Sequence, residues 1–312
     1  MRKKGEPLTI LVIGSRGTIG RKLTIELRYK GHTVYEADDK HCDLDNYARV
    51  DIREYRQVAK LWDCKPDLVY MLAAEFGRHN GELFYEQCWS TNVIGGRHVM
   101  EACALNGTRL IFITSSEVYG ETPQKLMRET DTENFPLRHH NDYAMSKWVN
   151  EQQILNMERE KGLQCVRVRL FNAYGPGEEY HPFRSVVCLF VHNALTGEPY
   201  TVYEGYTRAF TYIDDTIRTL GIIPSAFIAG RVYNIGSDEC RPVADVDTLI
   251  RKELGKTFRS NVVYMPKDGH NTVNKRPSIR AAKRDLGHEL TVRLEKGIPL
   301  TIKWMRQWIK SR

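Results

Sequence analysis

The chain has 312 residues, 41% of them hydrophobic and 27% charged, enough for one large domain or two unequal ones around a real core. Its seven cysteines (42, 64, 88, 103, 165, 188 and 240) are odd in number and contain no C-x-x-C pair, which argues against a disulfide framework or a zinc site and for a reducing, cytoplasmic setting. The net charge of +7 is 46 Lys and Arg against 39 Asp and Glu dispersed along the chain; with no like-charge block and no nucleic-acid module, it suits a phosphate-bearing ligand.

The opening "MRKK" before "LTILVIG" imitates a signal peptide, but the apolar run is only seven residues long and no small-residue cleavage site follows. It reads as a first strand, and no run approaches the roughly 18 apolar residues of a membrane span. The strand leads into a G-x-x-G-x-x-G turn (Gly14, Gly17, Gly20) and a helix over about 18–30 that opens with Thr18 and Ile19. Glycines in this context let the backbone turn tightly and approach a pyrophosphate at the helix N-terminus, although such turns also occur without ligands. "HTVYEAD" is the second strand and ends in Asp38, where a carboxylate would accept hydrogen bonds from an adenosine ribose and repel a 2′-phosphate. That favours NAD over NADP; Lys40 and His41 soften the preference, and a simple Asp38–Asp39 turn is the plainer alternative.

Next come a helical segment "EYRQVAKLW", the strand "DLVYMLAA", a long helical pattern over about 83–106, and the strand "RLIFITSS", which delivers Ser115, Ser116 and Glu117 to its carboxyl end. These three could equally cap the next element. In "HNDYAMSKW" Tyr143 and Lys147 are four apart, so on a helix over about 142–161 they share one face; a solvated helix face is the plainer reading of that pair. "QCVRVRLFN" supplies a further strand. Almost continuously apolar strands separated by helices predict an α/β fold with a doubly wound parallel sheet. Beyond about residue 173, Gly- and Pro-rich stretches separate shorter elements. The expected division is a cofactor-binding domain over 1–172 and a smaller substrate domain over 173–312, with part of about 205–240 returning to the first. The terminal "IKWMRQWIKSR" is expected to pack Trp304 and Trp308 on the second domain rather than lie on a membrane.

The glycine turn, "TSSEVYG", "YAMSK", "RLFNAYGPG", "TRAFTYIDD" and "NKRPSIRAAKRDLG" occur in the order seen in the extended short-chain dehydrogenase/reductase family, and the chain resembles its nucleotide-sugar epimerases and dehydratases over almost its full length. The resemblance implies a Rossmann domain holding NAD, and a nucleotide-diphosphate sugar as substrate. Tyr143 becomes the catalytic phenol, Lys147 its partner, Ser115 the hydroxyl that orients the sugar, and Asn92 a structural asparagine. Asp51 and Ile52 line the adenine, and Ala73 and Ala74 lie along the cofactor. Arg208, Arg276 and Asn172 meet the diphosphate, while Ser116 contacts the sugar; Glu75 and His79, in a segment that departs from the family patterns, are expected to line the sugar pocket as polar contacts. A homodimer through the helices at about 83–106 and 142–161 is implied as well.

A phenol with a pKa of about 10 is a poor base at neutral pH, but an ammonium and a positive nicotinamide ring both favour its ionised form. Tyr143 then takes the proton of a sugar hydroxyl, at C4, as hydride leaves the same carbon. The first expectation for the fate of the 4-keto sugar is C4 epimerisation. A 4,6-dehydratase with Glu117 as the C5 base, and a UDP-glucuronate decarboxylase in which Arg78 or Arg184 receives the sugar carboxylate, are the alternatives. The segment "AAEFGRHNGE" departs from all three patterns. A non-catalytic NAD sensor is the reading from another class.

Overall fold

The computed structural model describes residues 6–122, 124–267 and 272–312. The basic opening at 1–4 and part of the polar stretch at 266–278 lie outside them. In chain order the first part comprises β1 (Thr9–Ile13), α1 (Thr18–Tyr29), β2 (Thr33–Asp38), β3 (Tyr47–Arg49), α2 (Tyr55–Lys60), β4 (Leu68–Met71), α3 (Arg78–Leu83), α4 (Tyr85–Cys88), α5 (Gly96–Leu105), β5 (Arg109–Ser115), α6 (Asp131–Asn134), α7 (Asp142–Lys161) and β6 (Cys165–Leu170). The second part comprises β7 (Ala173–Tyr174), α8 (Val186–Thr196), β8 (Tyr200–Tyr203), β9 (Thr207–Arg208), β10 (Thr211–Tyr212), α9 (Ile213–Leu220), β11 (Val232–Ile235), β12 (Arg241–Pro242), α10 (Ala244–Leu254), β13 (Val262–Met265), β14 (Asn274–Lys275), α11 (Arg280–Leu286) and α12 (Leu294–Lys310).

Among the described residues, seven strands form one parallel sheet in the order β11-β6-β5-β4-β1-β2-β3. The apolar strands are the reason: Ile10, Leu11, Val12 and Ile13 are each at most 1% exposed, so both faces of β1 must be covered. One face packs Leu23 and Leu27 of α1, Ile213, Ile217 and Leu220 of α9, and Ala282 and Leu286 of α11. The other packs Val58, Val99, Met100, Ile154 and Met157 from α2, α5 and α7. A third cluster gathers α8, α10 and α12 with β8, and the tryptophans of α12 pack against it. The chain thus returns to the first layer through α9 and β11, and again through α11.

Strand order reverses between β1 and β4, and the carboxyl ends of neighbouring strands diverge there to leave a crevice. The glycine turn and the segment after β4 flank it. Ala73 N–H donates to Ile13 O (3.1 Å), and Gly14 N–H to Ala37 O (2.8 Å).

The helical pattern expected over about 83–106 is not one helix. It begins at Arg78, breaks at Phe84, whose φ/ψ of −127°/51° leave the helical region, and runs through a π-helical segment, Trp89–Gly95, into α5. The wider π turn gives Asn92 its inward place: Asn92 Oδ1 accepts from Glu75 N–H (2.8 Å), and its Nδ2 donates to Glu75 O (3.1 Å) and Ser146 Oγ (3.0 Å). Hydrophobic periodicity does not register that extra residue.

Candidate active site

The glycine turn is built for close approach. Gly14 has φ +88°, and a Cβ there would lie 2.5 Å from Ala73 N; a Cβ on Gly20 would lie 2.2 Å from Gly14 O. Gly17 is the N-cap of α1 and provides no side-chain cap, so the first N–H groups of the helix, at Thr18 and Ile19, are left open to a ligand. The buried Ser15 Oγ likewise has no partner among the described residues. Open donors and a cradle that any Cβ would fill fit the pyrophosphate of a dinucleotide.

Asp38, 8% exposed, closes the end of β2. It accepts from Arg16 N–H (2.8 Å) and Lys40 N–H (3.3 Å). Burial and a hydrogen bond with Asp39 raise its carboxyl above the ordinary value, against those two N–H groups. Asp51 is committed to Arg53 through Nε (2.9 Å) and Nη2 (2.6 Å), which holds it below the usual carboxylate range. Ile52 is buried beneath Gly95, and its carbonyl pairs with His98 Nδ1 at 2.9 Å. Ala73 and Ala74 are half-buried along the crevice.

Opposite the glycines, Asn141 caps α7 by accepting Ala144 N–H (2.8 Å), so the helix starts just ahead of Tyr143. The i, i+4 spacing brings Lys147 Nζ to 5.9 Å from the centre of the Tyr143 ring. The Ser115 hydroxyl at the end of β5 is near enough to act on the Tyr143 phenol. Burial pushes the phenol well above the ordinary tyrosine range; the Ser115 hydroxyl opposes this, and the charges of Glu117 and Cys88 add to it. Burial pushes the Lys147 ammonium down to about 8. Gly81 of α3 backs on Tyr143, where a Cβ would come within 3.0 Å of its backbone nitrogen.

Glu117 lies in the short 3-10 turn after β5, and its N–H donates to Ser115 Oγ (3.2 Å); Ser116 beside it is buried. Its carboxylate pairs with Lys275, the neighbour of Arg276 in "NKRPS". Burial would raise the Glu117 carboxyl, but Lys275, Arg208 and Arg78 outweigh it and hold it below the usual range. Burial pushes Lys275 down to about 8 against the pull of Glu117, with Arg208 adding to the depression. The two-residue strand β14 sets Lys275 opposite Arg208 of β9, so both cations leave one face. Arg276 is exposed, and its carbonyl accepts Met127 N–H (2.8 Å). "NKRPS" offers adjacent cations, and only this short pairing decides which one turns inward.

Arg208 is 8% exposed and donates to Thr207 O (2.8 Å) and Val273 O (3.1 Å). Asn172 has a left-handed φ of +39°, and its Oδ1 is buried with no partner among the described residues, two costs that coincide at sites awaiting a ligand. Glu75 is engaged by Asn80 and Gln87, each at 2.7 Å. Arg184 stacks on Phe76 with its guanidinium carbon 4.1 Å from the ring centre, while Arg78 is near enough to act on Glu117. No cluster of His, Cys, Asp or Glu able to hold a metal ion, and no helix long and apolar enough to cross a membrane, occurs among the described residues.

The crevice, the glycine turn and the Tyr143–Lys147–Ser115 group lie within residues 10–236, the span matched by the model for the NAD dependent epimerase/dehydratase family. The chain belongs to this family. It is 27% identical to UDP-N-acetyl-alpha-D-glucosaminuronate decarboxylase from Bacillus cytotoxicus, over 95% of this chain and 97% of that protein. It is 28% identical to UDP-glucuronic acid decarboxylase 1 from Danio rerio, over 97% of this chain and 74% of that one. Among solved structures, UDP-glucose 4-epimerase from Thermus thermophilus, crystallised with NAD, superposes with a TM-score of 0.85 at 25% identity, over 96% of this chain and 99% of that chain. Other relatives are named dTDP-glucose 4,6-dehydratase and UDP-glucuronate 4-epimerase. The protein is therefore an NAD-dependent enzyme of the extended short-chain dehydrogenase/reductase group, and the sensor reading falls away.

Proposed function

We propose that the enzyme oxidises C4 of a UDP-linked hexuronate and that the resulting 4-keto acid loses C6 as carbon dioxide. The observation that carries this reading is the charge around Glu117: Lys275, Arg208 and Arg78 all act on that one carboxylate. Cations gathered about one carboxylate favour a substrate that carries a carboxylate over a neutral sugar, and Arg78, which also has Glu82 at 3.7 Å, is the one proposed to meet it. Bound NAD supplies the hydride acceptor for C4 and a positive ring that favours the Tyr143 phenolate. Tyr143 removes the C4 hydroxyl proton, Ser115 orients that hydroxyl, and Lys147 lowers the cost of the phenolate. Arg208 and the N–H groups of Asn172 meet the diphosphate as donors, the guanidinium fork matching its oxygens. Once C4 is a ketone, the C5–C6 electron pair flows into it as carbon dioxide leaves, and Tyr143, now protonated, hydrogen-bonds the enolate oxygen.

A second reading is C4 epimerisation of the same substrate class. It is favoured by the commitment of Glu117 to Lys275, because returning hydride to the other face of C4 needs no base at C5. The same pairing weighs against 4,6-dehydration, which needs Glu117 as a free base. The test is to incubate the NAD-loaded protein with UDP-glucuronate, UDP-glucose and dTDP-glucose in deuterated water and to follow products by mass spectrometry and NMR. Carbon dioxide release with deuterium at C5 supports decarboxylation, an inverted C4 with no mass change supports epimerisation, and loss of water from a hexose overturns both.

A further inference from the structure

Glu151 lies one turn beyond Lys147 and two beyond Tyr143 on α7, and is 2% exposed. It meets Arg169 of β6, itself 0% exposed, through Arg169 Nε (2.9 Å) and Nη2 (2.6 Å), and it accepts the Thr114 hydroxyl (2.9 Å). Arg167 Nη1 stands 3.5 Å away. The remaining donors of Arg169 go to Tyr119 Oη (2.8 Å), Glu129 O (2.9 Å) and Thr132 Oγ1 (2.8 Å). Tyr119 donates onward to Asn234 Oδ1 (2.7 Å), whose Nδ2 reaches Met127 O (3.1 Å) and Ser278 O (3.3 Å).

Each end of this network adjoins a piece of the site. Thr114 precedes Ser115, Tyr119 follows Glu117 by two residues, Arg169 lies three before Asn172, and Ser278 is three beyond Lys275. A buried ion pair gains little stability over apolar residues of the same volume, because desolvation offsets the attraction. What a bidentate pair adds is a fixed distance and angle. Apolar packing alone would let α7 slide along the sheet by fractions of an ångström, and proton transfer between Tyr143 and a hydroxyl held by Ser115 is sensitive to shifts of that size.

We propose that the Arg169–Glu151 pair, with Thr114, is a positioning device that sets α7 against the end of β5 and so fixes the Tyr143 hydroxyl on Ser115. It touches neither sugar nor cofactor. The inference rests on the proposed C4 oxidation, so its test includes a signal that needs no turnover. In NAD-loaded protein with 13C-labelled tyrosine rings, the Tyr143 resonance is assigned by its loss in Tyr143→Phe and titrated. The phenol faces Ser115, Glu117, Lys147 and Cys88, all unchanged in the variants Glu151→Gln and Thr114→Val. Both variants are expected to move the Tyr143 midpoint by about half a pH unit or more and to lower kcat roughly 10–100-fold for Glu151→Gln, with KM within about threefold. Thr114→Val keeps the ion pair and the volume, so it remains informative if Glu151→Gln fails to fold. Folded variants with the wild-type Tyr143 midpoint overturn the proposal. Wild-type protein that turns over no UDP-hexuronate sinks the proposed function instead, and the midpoint alone then decides the positioning role.

Discussion

At the scale of single residues, the site couples a phenol that burial keeps protonated to two ammonium groups that burial weakens. Tyr143→Phe removes the group proposed to take the C4 proton, and kcat should fall about 10²–10⁴-fold while NAD binding, read by fluorescence titration, survives. Full activity in that variant would remove Tyr143 as the base. Lys147 and Lys275 each carry a pKa of about 8. Both are charged below that pH and neutral above it, so kcat/KM should hold near neutrality and decline as pH rises through 8. Two such groups make the logarithmic slope of the alkaline limb approach about two, and Lys275→Arg, whose guanidinium stays charged, should reduce it to about one. An unchanged slope in the arginine variant would exclude a need for charge at that position.

At the scale of elements, α1 and α7 are placed by their first residues. A Cβ on Gly20 would sit 2.2 Å from Gly14 O, backbone that cannot step aside. Gly20→Ala should therefore open the turn and abolish NAD binding measured by calorimetry. Retained affinity would show that the turn has room that its geometry denies. Asn141 holds the start of α7, and Asn141→Ala should cost about 0.5–2 kcal/mol in urea unfolding. The broken helical run from Arg78 to Leu105 has a comparable role: its π segment turns Asn92 toward Glu75 and Ser146, which links the loop after β4 to α7.

At the scale of the whole molecule, the strand-order reversal between β1 and β4 opens the crevice, and the small sheet β12-β9-β14 brings Arg208 and Lys275 across to it. Leu83, Phe84, Tyr85, Ile94 and Leu105, all along the broken helical run, are more than half exposed. We propose that this run, together with α7, pairs across a two-fold axis in a homodimer, since exposed large apolar side chains mark a contact surface. Sedimentation should give a dimer at micromolar concentration, and Phe84→Glu combined with Tyr85→Glu should give a monomer. A wild-type monomer would refute the assignment.

The sequence by itself determined the doubly wound sheet, the glycine turn, α7 with its Tyr143–Lys147 pair, and the delivery of Ser115 and Glu117 to a strand end. Each of these is local, written in periodicity or spacing within a few residues. The break at Phe84, the choice of Lys275 over Arg276 as the inward cation, and the joining of Arg169 to Glu151 were decided only by the tertiary structure. Their partners lie 158 residues apart for Lys275 and Glu117, and 18 for Arg169 and Glu151, on separate elements. Which of two adjacent cations is buried depends on the strand it pairs with, and no pattern along the chain carries that information.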